Sequence, residues 1–426
     1  MHLTRLALTN FRNYTHLELN LAPGLTLLQG NNACGKTNLL EAVFYLATAR
    51  SPHAGAEREL LRWGASEEPI PFARVEAQVE RRNGTQTNLE IVLLQAGEEK
   101  GHQTESVEAH KTSGRMSKRI KVNGVPKRAL DLLGQLNAVL FLPEDLDLVF
   151  GSPGDRRRYL DTTLAQIDPR YGRALSRYNQ VLEQRNSLLR EFHERPFKPA
   201  ELEIWDQHLV TEGAYIIARR AETVERYNQL TAEIHPRLTG GAEYLALVYQ
   251  PSVGLAAGRA VQPALGPGDL PAGRASAVAP RFAQQLASMR SRELGAGLTL
   301  VGPHRDDLRF LVDRSPEMTH AMDAITYASR GQGRTIALSL KLAEVALMRA
   351  ETEEEPVLLL DDVMSELDAP RRAALSQTVM DASQALITAT DLEDFTPELL
   401  TRAKILRVCE GRVLSEDTGG PQIPVS

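Results

Sequence analysis

The sequence predicts an α/β fold: one nucleotide-binding head made from both ends of the chain, with a helical lobe inserted between them. Three observations predict it. Residues 30–37 read Gly-Asn-Asn-Ala-Cys-Gly-Lys-Thr, which matches the phosphate-cradling pattern G-x-x-x-x-G-K-[ST]. Residues 357–362 read Val-Leu-Leu-Leu-Asp-Asp, an apolar strand that ends in two carboxylates. Between these motifs, residues 155–193 and 200–234 have few glycines, many charges, and Leu, Ile or Tyr at helical spacing.

The elements follow in order. Leu3–Leu8 and Leu17–Leu21 alternate apolar and polar residues, as half-buried strands do. Gly24–Gln29 is a short apolar run that ends at Gly30, and Asn38–Leu46 follows with helical spacing. Phe72–Glu80 alternates up to Asn83-Gly84, a hairpin turn signal, and Asn88–Leu94 returns. Lys118–Val122 and Ala138–Leu142 are further strands, with Asn123-Gly124 as another turn. The charged stretches after Pro153 read as two or three long helices packed as an antiparallel hairpin. Pro251–Pro280 is rich in Pro, Gly and Ala and reads as a mobile loop. Phe282–Leu294 reads as helix, and strands resume at Leu298–Val301 and Leu308–Val312. Gln332–Arg349 is an apolar-striped helix, Pro356–Leu360 a buried strand, a helix starts near Pro370, and Ala385–Thr390 is another buried strand. The expected domains are a head of residues 1–150 and 295–426 and a helical lobe of residues 151–294.

The chemistry follows from the motifs. Gly30 and Gly35 allow the tight turn that aims backbone N–H groups at phosphate oxygens. The helix that opens at the end of the loop adds its free N–H groups and dipole. Asn31, Asn32, Ala33, Cys34 and Asn38 complete the expected nucleotide contacts. Lys36 reaches the β and γ phosphates of ATP, and the Thr37 hydroxyl holds Mg²⁺. Asp361 is expected to hold Mg²⁺ as well. Asp362 is placed to take a proton from the attacking water, so Lys36 and Asp362 are the candidate catalytic residues.

Bulk properties narrow the class. The chain has 426 residues, which suggests two or three compact units, or one large domain with an insertion. No apolar run is long enough to span a bilayer and the start lacks a signal-peptide layout, which predicts a cytoplasmic protein. Two cysteines, Cys34 and Cys409, make no disulfide framework. The net charge of −6 means that any nucleic-acid contact is local. Residues 111–128 carry Lys111, Arg115, Lys118, Arg119, Lys121, Lys127 and Arg128 without one acidic residue, and Arg156-Arg157-Arg158 follows. A run of this kind is either a DNA contact or a solvated face paired with acidic neighbours.

Ser329-Arg330-Gly331-Gln332 precedes the long helix, and Ser365-Glu366-Leu367-Asp368 follows the acidic pair. The order phosphate loop, Ser-x-Gly-Gln, apolar-Asp-Asp, Ser-Glu-Leu-Asp resembles the ABC-type ATPase heads of the SMC and Rad-fifty class. Within that class it is most similar to the bacterial recombination mediators. Asn10-Phe11-Arg12-Asn13-Tyr14, Leu142-Pro143-Glu144-Asp145-Leu146, Arg157–Asp161 and Gly302–Leu308 carry the same resemblance, which spans about Leu3 to Gly411 and weakens through 235–290.

The resemblance implies that Ser329, Gly331 and Gln332 meet the γ-phosphate of ATP held by a second subunit. ATP would then close a homodimer and hydrolysis would open it. Asp368 would cross the dimer interface. Glu144 stands where related heads carry a Gln that senses Mg²⁺ and γ-phosphate. Arg12 and Asn13 would touch nucleotide phosphate. Thr390-Asp391 stands where transporter ATPases carry a switch His, and Asp-Asp replaces the usual Asp-Glu, which implies slow turnover. The implied partners are double-stranded and gapped DNA, and RecR, with RecO and RecA downstream. Lys118, Arg119, Lys121, Lys127, Arg128, Arg156 and Arg157 are the candidate DNA contacts. The competing reading is a transporter-type or other protein-gated ATPase subunit; the long inserted arm and the missing switch His count against it. A nuclease head of the overcoming-lysogenisation type would need a further acidic metal domain. A head that binds ATP without hydrolysing it is disfavoured by Asp361 and Asp362. For Gly302–Asp307 a buried polar network is expected rather than catalysis.

Overall fold

The computed structural model describes residues 1–65, 71–95, 116–196, 198–254 and 275–415. The chain divides into two compact units, Met1–Pro143 with Met348–Ser426, and Glu144–Leu347. The first unit opens with β1 (His2–Phe11), β2 (Tyr14–Asn20), β3 (Gly24–Gln29), α1 (Lys36–Thr48), β4 (Phe72–Glu80), β5 (Gln86–Gln95), β6 (Met116–Val122), β7 (Val125–Lys127), α2 (Ala129–Leu132) and β8 (Ala138–Phe141). The second holds α3 (Asp147–Phe150), α4 (Pro153–Ile167), α5 (Pro169–Glu191), α6 (Pro199–Thr239), β9 (Tyr244–Gln250), α7 (Ala275–Ala296), β10 (Asp307–Asp313), β11 (Met322–Asp323), α8 (Ala324–Tyr327) and most of α9 (Arg330–Thr352). The first unit closes with β12 (Val357–Asp361), α10 (Ala369–Asp381), β13 (Gln384–Ala389), α11 (Pro397–Arg402), β14 (Ala403–Cys409) and β15 (Arg412–Ser415).

Among the described residues, the first unit contains two six-stranded sheets. One has the order β15-β14-β3-β13-β12-β8, parallel except for β15. Its inner strands are apolar runs such as Val357-Leu358-Leu359-Leu360, because a parallel sheet is covered on both faces. Here the distant chain ends meet: β13 pairs with β3 on one side and β12 on the other. The carboxyl ends of β3, β13 and β12 therefore lie side by side. The other sheet, β2-β1-β4-β5-β6-β7, is antiparallel with alternating burial. Asn123 and Gly124 both have positive φ, 52° and 76°, and so supply the two-residue turn that joins β6 to β7. Leu39, Leu40, Val43 and Leu46 of α1 share one core with residues of both sheets.

In the second unit α5 and α6 are antiparallel, since Tyr171 lies near Arg220, Arg177 near Glu212 and Arg185 near Asp206. The Gly302–Asp307 segment is a buried polar network. Asp306 is fully buried and accepts from Ser252 N (2.7 Å) and from the Tyr249 hydroxyl, with Arg220 Nη1 at 3.5 Å. Asp307 takes both ends of the Arg156 guanidinium, at 2.8 and 3.0 Å. His304 Nδ1 bonds the Tyr178 hydroxyl (2.7 Å), and burial lowers the ring's pKa to about 4.

Two expectations need correction. Leu298–Val301 is not a strand. Gly297 turns left-handed (φ 63°) at the end of α7, and the amides of Thr299 and Leu300 bond side chains instead of a neighbouring strand. Thr299 N donates to Asn186 Oδ1 (2.7 Å) and Leu300 N to Glu293 Oε1 (2.9 Å). The expected loop Pro251–Pro280 ends sooner, because α7 starts at Ala275; its residues 255–274 lie outside the described residues. Strands β7, β9, β11, β14 and β15 are not among the expected elements.

Candidate functional site

The phosphate loop joins β3 to α1, and close backbone approach dictates its glycines. A Cβ on Gly30 would stand 2.2 Å from the carbonyl oxygen of Val408 on β14. Gly35 has φ 112°, and a Cβ there would stand 2.4 Å from Asn13 Nδ2. Neither position accepts another residue without movement. Ala33 also has positive φ, 63°. Asn13 braces the loop: its Nδ2 donates to Cys34 O (3.0 Å) and its Oδ1 accepts from Asn38 Nδ2 (2.8 Å). The buried Tyr14 hydroxyl donates to Gly35 O (2.9 Å). The turn between β14 and β15 adds Gly411 N to Cys34 O (3.1 Å).

The loop surrounds a cavity of about 280 Å³ completed by Pro143, Asp361 and Asp362. Lys36 is folded back, its Nζ donating to the carbonyls of Gly30 (2.5 Å) and Asn31 (3.1 Å). An incoming phosphate offers that ammonium a stronger, charged acceptor. Asn31, Asn32 and Ala33 are exposed at the rim.

The acidic pair divides into two environments. Asp361 is buried; its Oδ1 accepts from Thr37 Oγ1 (3.0 Å) and from Thr388 Oγ1 (2.7 Å). Asp362 has a left-handed backbone (φ 50°), and its amide donates to Thr388 Oγ1 (2.9 Å). Burial raises the Asp362 pKa, with Asp361 adding to the rise and Lys36 opposing it. Thr37 and Asp361 together fit Mg²⁺, which takes one or two protein oxygens and completes its shell with phosphate and water. Among the described residues no cluster of three His, Cys, Asp or Glu is arranged for a metal.

Sequence reasoning missed Thr388, although a hydroxyl inside the apolar run Ala385–Thr390 was the available signal. Thr390, which stands where transporter ATPases carry a switch His, donates its hydroxyl to Asn32 Oδ1 of the loop (3.2 Å).

Other expected residues are placed as follows. Arg12 grips Glu41 of α1 with two bonds, 2.6 and 2.7 Å, and donates to Glu59 O, so it braces the helix behind the loop. Asp368 caps α10 and pairs with Arg371. In the second unit, Glu144 is exposed on a 3₁₀ turn, and Ser329 and Gly331 are exposed at the start of α9. Ser329 and Gln332 cap each other: Ser329 N donates to Gln332 Oε1 (2.8 Å) and Gln332 N to Ser329 Oγ (3.2 Å).

The expected DNA contacts divide. Arg119, Lys127 and Arg128 are exposed. Arg156 is corrected: it is 3% exposed and bound to Asp307, so it is a structural cation of the second unit. Lys118 is corrected too, since its ammonium donates to Ala49 O (2.8 Å), pairs with Glu57 and lies over the Tyr45 ring. Lys121 pairs with Glu90, and Arg157 donates to Asp306 O. Lys111 and Arg115 lie outside the described residues.

A family model described as "RecF/RecN/SMC N terminal domain" matches residues 2–405. The DNA replication and repair protein RecF of Chloroflexus aurantiacus is 43% identical over 422 residues, 97% of this chain and 100% of that protein. The protein of the same name from Roseiflexus castenholzii is 44% identical over 425 residues, covering 97% and 99%. A solved structure of the recombination mediator protein RecF with ATP, in the RecFOR pathway, aligns with a TM-score of 0.78 at 30% identity and covers 99% of this chain and 97% of that one.

Proposed function

Because this chain belongs to the RecF family, within the RecF/RecN/SMC group, we propose that it is an ATP-driven DNA-binding protein of replication and recombinational repair. The observation that carries this reading is the meeting of Thr37, Asp361 and Thr388 beside the glycine loop, at the carboxyl ends of β3, β12 and β13. In open α/β sheets that crevice is where ligands bind.

On this reading the loop amides and Lys36 bind the phosphates of ATP, and Thr37 and Asp361 would hold Mg²⁺, whose charge would polarise the transferred phosphoryl group. Asp362 accepts a proton from the attacking water. An aspartate reaches one methylene less than the glutamate usual at this position, so turnover is slow. Ser329 and Gly331 meet the γ-phosphate of a second subunit, Asp368 crosses between subunits, and Glu144 reports on the metal. ATP closes the homodimer on duplex DNA or at a single-strand gap; hydrolysis opens it. The head proposed on this reading is residues 1–150 with 295–426, and residues 151–294 are the inserted helical lobe. Arg119, Lys127 and Arg128 are the DNA contacts this reading retains. RecR is the direct partner, with RecO and the loading of RecA downstream, in the cytoplasm.

The test is steady-state ATP hydrolysis by the purified chain, alone and with duplex or gapped DNA, across a salt series. The expected result is slow turnover raised by DNA and lost in Asp362→Asn. Binding should weaken with salt by a log–log slope of about −0.9 per phosphate neutralised. Turnover indifferent to DNA, or binding indifferent to salt, would remove the dimer that closes on DNA and leave a protein-gated ATPase.

A further inference from the structure

One contact in the second unit joins the Ser-x-Gly-Gln turn to a residue with no assigned role. Gln332 Nε2 donates to Glu243 Oε1 at 2.7 Å. Glu243 follows the end of α6, where its backbone is fixed twice by Thr239. Its N–H donates to Thr239 Oγ1 (3.3 Å), and its carbonyl accepts from that hydroxyl (3.2 Å). A second link runs parallel to it: His235 Nδ1 bonds Ser339 Oγ (2.8 Å), also between α6 and α9. The His235 ring is fully buried, with Nε2 3.9 Å from Glu243 Oε2.

The chemistry of the amide gives this contact its direction. A glutamine side chain has one accepting end and one donating end. A carboxylate accepts only, so Glu243 claims the NH₂ of Gln332 and turns its carbonyl oxygen toward Ser329 N. The reciprocal cap then has Ser329 Oγ accepting from Gln332 N. The Ser329 hydroxyl proton is left to point at an acceptor outside the turn. If the amide flipped, the NH₂ would face the Ser329 N–H, donor against donor, and the cap would open.

We infer that Glu243 is a positioning residue. It fixes the amide of Gln332, and through it aims the Ser329 hydroxyl at a phosphate presented from outside the subunit, so that α6 and the nucleotide-facing turn move as one piece. This rests on the proposed ATP-closed dimer.

The test measures ATP-dependent self-association of the full chain by sedimentation, alongside ATP affinity under conditions where the chain stays single, and thermal unfolding. Glu243→Ala should weaken association roughly ten- to hundred-fold, the scale of one lost hydrogen bond to a charged group. Single-subunit ATP affinity should stay unchanged. Glu243→Lys should do the same, by setting a donor against the NH₂ of Gln332. Glu243→Gln, whose amide oxygen still accepts from Gln332 Nε2, should keep association near the wild-type level. That conservative variant also covers the case in which Glu243→Ala folds poorly. If the wild-type chain does not pair with ATP, the dimer reading fails and this inference with it. If it pairs and Glu243→Ala or Glu243→Lys pairs equally well, or Glu243→Gln loses association while folding normally, the dimer reading stands and the role of Glu243 is overturned.

Discussion

Thr388→Val is the sharpest probe of the acidic strand ends. Valine keeps the β-branched shape, so no cavity opens beside β12, and only the hydroxyl is lost. That hydroxyl donates to Asp361 Oδ1 at 2.7 Å and accepts from Asp362 N at 2.9 Å, in a side chain that is almost fully buried. Losing a bond to a charged group costs about 1.5–3 kcal/mol, and an amide left without an acceptor costs about 1–3 kcal/mol. Two effects work the other way. The added methyl gains roughly 1 kcal/mol of apolar burial, and water from the adjoining cavity can reach Asp361. The expected net loss is about 2 kcal/mol. Global unfolding of a two-unit chain does not isolate this loss, so the assay is hydrogen exchange at the amides of β12 and β13. Thr388→Ser, which keeps the hydroxyl, should retain most of the protection. Protection in Thr388→Val within about 0.5 kcal/mol of wild type would refute the claim that this hydroxyl holds the strand ends together.

Arg12→Gln should cost about 3–5 kcal/mol, because it strips the main partner from Glu41, a carboxylate only 1% exposed. Arg12→Gln with Glu41→Gln should recover much of this, read by hydrogen exchange at the amides of α1; lost ATP affinity at unchanged protection would instead favour a direct phosphate contact for Arg12. Asp362 must be deprotonated to accept a proton, and its pKa is raised above the ordinary 3.8. Hydrolysis should therefore fall, as pH is lowered, at a higher pH than for an ordinary aspartate; a pH–rate profile with an acid limb at or below the ordinary value would contradict this. His304 is held neutral, its pKa lowered from 6.5 to about 4. The sign follows: the unfolded ring takes up a proton first, so stability is full above pH 6.5 and is lost as pH falls toward 4, by up to about 3 kcal/mol. His304→Gln should flatten that part of the pH–stability curve, and an unchanged curve would exclude His304 as its source.

The legible part of the site was local. The glycine loop and the Asp361-Asp362 end of an apolar run declare themselves in a few consecutive residues, because each needs its residue types at fixed spacing on one strand end. Pairings across the chain were not legible. Nothing near Gly30 states that the carbonyl of Val408 will lie against it, and nothing near Glu243 states that Gln332 will meet it. The basic residues show the same gap. Arg156 and Arg158 look alike in sequence, yet one is buried on Asp307 while the other is 71% exposed beside Asp155. Charge composition is identical for a solvated cation and a paired one; the partner's position decides, and Asp307 is distant in the chain. The expected strand at Leu298–Val301 failed for a related reason: Asn186 and Glu293 supplied acceptors that a propensity reading assigns to a neighbouring strand.

The two adjacent aspartates show why the structure was needed even where the motif was plain. Sequence gives them equal standing. The fold gives one of them two hydroxyl donors on a single oxygen and buries it, while the other turns left-handed into the cavity with its pKa raised. A carboxylate held by two hydroxyls is fixed in orientation, which suits a metal ligand. A carboxylate raised toward neutrality, with Lys36 opposing the rise, suits proton transfer. Both aspartates depend on Thr388, which bonds the side chain of one and the backbone of the other. A residue that touches neither phosphate nor water in this reading thus sets the spacing between the metal-holding and proton-accepting groups. The same logic extends to the second unit, where Glu243 sets Gln332 without itself facing a phosphate.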